Sequence, residues 1–243
     1  MRLVLVGSGK MDPESTRCVE EPCYDSATHM TNLGSSFGQS SIVTILVGQD
    51  KSKFSVHKDI LVKACPFFAK CLASNMREAT TGVIELPEDD SATFAAFVNY
   101  IYKVEILTCR SGYDAVSLAI KSWVLAEKFF MPRWQNRLID GMARYWRKRM
   151  IHHEHLLLTT EITSDDHKLR HMVYAQFTWD VVNSEHSLDD QTLEDLSADS
   201  EVSKWLLRAM SSHAQGHSIE RQPATTPEKY YESEPAPLVI VLE

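Results

Sequence analysis

The sequence predicts an α/β fold of the α+β kind: a short three-stranded sheet flanked by a helical cluster, followed by a mostly helical extension. Three observations carry that expectation. The β-branched run Ile42-Val43-Thr44-Ile45-Leu46-Val47 closes on Gly48-Gln49-Asp50, and Phe54-Ser55-Val56-His57 alternates apolar and polar behind it, as the return strand of a hairpin does. Val83-Ile84-Glu85-Leu86 is a third short strand. Elsewhere the apolar residues recur at helical spacing.

The elements follow in order. Residues 1 to about 39 lack hydrophobic periodicity and are rich in Ser, Thr, Gly and acidic residues, which predicts a disordered leader. Between Asp59 and Met76 the helical pattern is Ile60, Leu61, Ala64, Phe67, Phe68, Cys71, Leu72; Pro66 splits it in two, as the first residue of the second helix. Past Pro87, the cluster Asp89-Asp90-Ser91 offers N-cap chemistry ahead of Phe94, Phe97, Val98 and Ile101. Two longer patterns cover about 113–130 and 133–149, jointed at Met131-Pro132. Beyond 150 the signal thins to helices at 167–182 and 202–210. From Ser211 the chain is polar and proline-bearing, and is expected to be a mostly disordered tail; its Leu238-Val239-Ile240-Val241-Leu242 has strand character without an evident pairing partner. The predicted organisation is therefore leader 1–39, folded domain 40–149, helical extension 150–210 and tail 211–243. Phe67, Phe68, Phe94, Phe97 and Trp123 are the expected core aromatics.

Composition narrows the function classes. Of 243 residues, 44% are hydrophobic and 24% charged, enough to fill a core. Twenty-five basic against 33 acidic residues leave a net charge of −8, which argues against a surface built to grip nucleic acid or anionic lipid. The apolar start is too short for a secretory signal, and no apolar run approaches the ~20 residues that span a bilayer. Five cysteines, an odd number, and no Asn-x-Ser/Thr sequon favour a reducing compartment: an intracellular protein of cytoplasm or nucleus.

Candidate chemistry is sparse. His57 closes a strand with no nucleophile placed beside it by any motif. His152-His153-Glu154-His155, with His167 and His171 at i, i+4, admits a metal site and hence, as a remote alternative, a metal-dependent enzyme using the His152–His171 region. His-Glu-x-x-His is absent, however, and the bland reading is a polar helix end and loop. Gly7-Ser8-Gly9-Lys10 fails as a phosphate-binding loop, because Val4 stands where the first glycine belongs and Met11 where Ser/Thr belongs. Arg144, Arg147, Lys148 and Arg149 suit a solvated helix C-terminus. The residues therefore predict no catalytic, cofactor or metal site, and no nucleic-acid, membrane or small-molecule partner.

A further set of residues occurs in a telling order: the strand Ile42–Val47; Phe54-Ser55-Val56-His57-Lys58-Asp59-Ile60-Leu61; Cys65-Pro66-Phe67-Phe68; Met76-Arg77-Glu78; Val83-Ile84-Glu85-Leu86-Pro87-Glu88-Asp89-Asp90; Phe94 with Phe97; Tyr100-Ile101-Tyr102; and Leu125-Ala126-Glu127-Lys128-Phe129. Together they make residues 40 to about 145 resemble a BTB/POZ domain, and the layout resembles the stand-alone BTB proteins of filamentous fungi. The resemblance implies a non-enzymatic protein-interaction module that self-associates and recruits partners. It also implies an alternative, a substrate adaptor of a cullin-based ubiquitin ligase, with substrate on 150–210. In that alternative Met76 and Glu78 match the family's hydrophobic-x-Glu element that touches the cullin scaffold: Met enters an apolar pocket and Glu adds a charge-assisted hydrogen bond. Two residues depart from the family pattern. Ser41 replaces an acidic residue that in several members helps form a charged pocket, and Cys65 replaces a serine. The segment at 28–40, which in the family is swapped between subunits, is here short and rich in Ser and Gly, so the expected homodimer is weak or in equilibrium with monomer.

Overall fold

Strand β1 (Ile42–Val47) is the middle strand of a sheet ordered β2-β1-β3. The computed structural model describes residues 41–73, 77–104, 112–183, 188–216 and 222–234; the leader, Cys18, Cys23, Met76, Cys109 and Leu238–Leu242 lie outside them. Val43, Ile45 and Val47 are buried while Ile42, Thr44 and Leu46 are exposed or half-buried, the two-residue period of a sheet with one covered face. β2 (Ser52–His57) pairs antiparallel, with Ile42 opposite His57 and Val47 opposite Ser52. The hairpin turns at Gly48, whose φ of +76° suits a residue without Cβ. β3 (Val83–Leu86) joins β1 in parallel, Thr44 opposite Val83. A parallel pair needs a crossover, and α1 (Lys58–Ala64), α2 (Pro66–Ala73) and α3 (Arg77–Thr81) supply it.

Local chemistry sets the joints. Cys65 is extended (φ −130°, ψ 114°), as a residue before proline prefers, and Pro66 opens α2 without wasting an N–H. Asp90 caps α4 (Ser91–Ile101): its carboxylate accepts from the Thr93 amide at 2.8 Å and the Thr93 hydroxyl at 2.7 Å, which holds its pKa below the ordinary value. α5 (Tyr113–Lys128) and α6 (Pro132–Trp146) follow, the latter opened by Pro132. Phe68, Phe94, Phe97 and Trp123 are fully buried as expected; Phe67 is half-buried, stacked on Phe129 with ring centroids 5.2 Å apart.

Past residue 150 come α7 (His153–Ile162), α8 (Lys168–Asn183), α9 (Asp190–Ala198) and α10 (Ser200–Ala214). The periodic patterns correspond to α8 and α10; α3, α7 and α9 have no apolar stripe to announce them. Buried residues run without interruption from the sheet through α8 to Ala224, so the extension shares the core of the sheet domain. The stretch 211–243, expected to be mostly disordered, differs over its described part. Residues 222–234 form two 3-10 turns, Pro223–Thr225 and Pro227–Tyr230, with Pro223, Ala224 and Pro227 buried against α6 and α8. Two of the prolines that suggested disorder, Pro223 and Pro227, are the first residues of these turns, where a missing N–H costs nothing.

Candidate interaction surface

Glu78 sits in the first turn of α3, half-buried, and contributes with burial to raising the pKa of the Cys71 thiol. Met76, its companion in the sequence motif, lies outside the described residues.

The histidines disperse. His57 is ring-bonded within the fold: its Nδ1 is 2.7 Å from the Tyr102 hydroxyl, which also accepts from the His57 amide at 3.3 Å. His153 Nε2 meets Asp195 at 3.1 Å. His167 precedes α8 and meets Glu127 of α5 at 2.9 Å, while its Nδ1 accepts from the Ser164 amide. His171 is exposed on α8. His155 is buried, stacked on Tyr113 at 4.4 Å, and His152 packs edge-on against both rings. Among the described residues no three metal-ligating side chains come together. The sequence cluster reads as one group only because its members are consecutive; on a helix, neighbours diverge by ~100°.

Burial depresses the His155 pKa from 6.5 to about 4. A depressed histidine is neutral in the fold and charges only on unfolding, so its contribution is whole above pH 6.5 and is lost as pH falls through 4. At about 1.4 kcal/mol per unit this amounts to roughly 3 kcal/mol. Burial also raises the Asp180 pKa to about 6, which stabilises the fold as pH falls over the same range. The loss is therefore read as the difference between urea titrations of the parent and of His155→Phe from pH 7 to 4; parallel curves for the two proteins would remove His155 as the cause.

The two described cysteines are free thiols. Cys65 is fully buried, burial pushes its thiol up to about 11, and its Sγ points at the Phe129 carbonyl 3.8 Å away. It is a packing residue, not a nucleophile. The basic residues Arg144, Arg147, Lys148 and Arg149 are exposed at the C-terminal end of α6, with the Arg149 guanidinium 4.7 Å from the Tyr145 ring centroid. No described helix is long and apolar enough to cross a membrane.

What the chain presents is thus a small sheet, a helical wall and exposed apolar residues rather than converging reactive groups. Ile42, Val62, Val104 and Phe130 are all exposed on or beside the sheet domain. Residues 35–134 match the family model of the BTB/POZ domain. This segment is a BTB/POZ domain. No curated protein matches the chain. BTB domains are protein-interaction modules, and this domain gives the chain one. Sequence reasoning missed one feature of the surface, an apolar groove of about 290 Å³ between α8 and α10 that includes Tyr174, Trp179 and Trp205. The only signal for it was a pair of tryptophans in two weakly patterned segments.

Proposed function

We propose that the chain is a non-enzymatic BTB interaction module that associates with itself and recruits protein partners inside the cell, in cytoplasm or nucleus. The observation that carries this is the BTB match over 35–134, on a sheet whose first residue, Ile42, leaves an apolar side chain 52% exposed where the chain enters the domain. An aliphatic side chain exposed there gains from being covered by a second copy. The homodimer is weak because the preceding segment is short. Light scattering over a concentration series is expected to show the mass rising from 27.6 kDa toward twice that value. A mass fixed at the monomer value at the highest concentration overturns self-association.

A second reading, the cullin-ligase adaptor, is favoured by the half-buried Glu78 in the first turn of α3, two residues after Met76 in the sequence. Truncating interface anchors often costs about 2 kcal/mol or more. The double variant Met76→Ala, Glu78→Ala is therefore expected to weaken a cullin complex roughly thirtyfold or more. It should keep its melting temperature, since surface changes usually move stability by about 0.5 kcal/mol or less. A pull-down of the host's cullin by parent and variant reads this out. No capture by the folded parent removes the adaptor reading and leaves the interaction module.

A further inference from the structure

Residues 222–234 are a strap laid antiparallel along α6. At its start the Gln222 side-chain amide donates to the Trp146 carbonyl at 2.9 Å, at the C-terminal end of the helix. In its middle the Tyr231 hydroxyl donates to Asp140, and Glu232 exchanges two backbone–side-chain bonds with Asn136, at 2.7 and 3.0 Å. At its end Glu234 meets Arg133 at 2.8 Å, in the first turn of α6. Arg133, Asn136 and Asp140 stand at i, i+3 and i+7, one stripe of the helix. The strap therefore runs steadily from one end of α6 to the other, roughly 20 Å at the helical rise.

Past the N-terminal end of α6 lies a groove of about 180 Å³ lined by Ala64, Pro66, Tyr100, Phe130, Pro132 and Arg133. Arg133 is both the last clamp on the strap and a wall of this groove. Phe130 is 66% exposed and holds φ +57°, a conformation bulky side chains seldom adopt. The groove is smaller than the ~300 Å³ at which small-molecule sites begin; it is sized for a few side chains.

We propose that Leu238–Leu242 of the same chain docks in this groove, carrying the strap across the joint between α5 and α6. Direction and reach favour it. Glu234 is delivered to the groove's edge, and Leu238 follows four residues later in the sequence, within a reach of about 12 Å at the ~3.1 Å per residue that proline-rich chain allows. Chemistry favours it too. The segment is five consecutive aliphatic residues, and the groove is mostly apolar. Charge agrees: Arg133 at the groove already pairs with Glu234, and Lys70, 5.8 Å from the Phe130 ring centroid, is opposite in sign to Glu243, the residue after the segment. Tethering makes the encounter intramolecular, at an effective concentration a separate copy does not reach in dilute solution. The segment thereby covers the exposed Phe130.

The test is a photo-crosslink in the full chain. p-Benzoylphenylalanine replaces Phe130, and the irradiated protein is digested and sequenced by mass spectrometry. The expected product has the mass of one chain and joins position 130 to residues 238–242. Ile240→Asp is expected to abolish it, and the same probe at Leu207, 69% exposed on α10, to give no such product. A probe at Lys70, beside the Phe130 ring, reads the same contact if the first variant melts below the parent. Crosslinks to other segments only, none at all, or products found only at the mass of two chains overturn the proposal.

Discussion

Phe97→Ala is expected to lower the unfolding free energy by about 3–5 kcal/mol, a large part of the ~5–15 kcal/mol that holds a typical domain. The Phe97 ring has no exposure and sits among four others: Phe94 at 5.3 Å, Phe68 at 5.7 Å, Phe129 at 5.2 Å and Trp134 at 5.6 Å between centroids. Those neighbours come from α2, from α4 itself, from the end of α5 and from α6. Each is fixed by its own element, so the void left by truncation cannot close by one side chain swinging in. Phe67, half-buried at the edge of the same cluster, faces only Phe68 and Phe129 among these rings, and Phe67→Ala should cost distinctly less. Urea midpoints for the two variants against the parent decide the matter. A Phe97→Ala curve that overlays the parent would mean that α4 does not present this face to the core.

The elements that were legible before the structure share one property: their buried residues are apolar and locally spaced. β1, its hairpin partner, the break at Pro66 and the Asp90 cap are all written within a few residues of where they act. α7 was not legible because the face it buries is half polar. His155, Thr159 and Thr160 are inside, and the two threonine hydroxyls bond back to the carbonyls of His155 and Leu156 at 2.7 and 2.8 Å, so the helix's own backbone takes both hydroxyl protons. The strap was illegible for a different reason. Its order comes from Asp140 and Asn136, 91 and 96 residues earlier in the chain, and no local pattern encodes a partner that distant. At the candidate surface, Glu78 was singled out by the motif's resemblance alone. The dispersal of the histidines was not legible, because sequence adjacency does not say which way a helix turns each ring.

Arg170→Ala is expected to lower stability by about 3 kcal/mol, the low end of what removing one partner of a buried ion pair costs. Arg170 is 5% exposed, and all five of its N–H donors find acceptors. Nε donates to the Thr163 hydroxyl at 3.2 Å, one terminal nitrogen serves Asp165 and Glu201, and the other serves the backbone carbonyls of Thr160 and Thr163. Those two carbonyls belong to the C-terminal turn and cap of α7, the groups a helix end leaves unpaired. One side chain of α8 thus finishes α7 and holds the first turn of α10. Removing it strands two carbonyls, at about 1–3 kcal/mol for each that water does not reach. It also leaves two carboxylates without their shared cation. The cost stays at the low end because the Asp165 and Glu201 side chains are 85% and 50% exposed, and water takes over their solvation. Arg170→Lys separates charge from geometry. It keeps the cation but offers three donors from one point, which cannot reach two carbonyls and two carboxylates together. It is expected to recover less than half of the loss. Denaturant melts of both variants, with hydrogen exchange to locate the weakened amides in α7, α8 and α10, test the assignment. An Arg170→Ala protein within 1 kcal/mol of the parent, or a lysine variant equal to the parent, would show that the fork of the guanidinium is not what joins these helices.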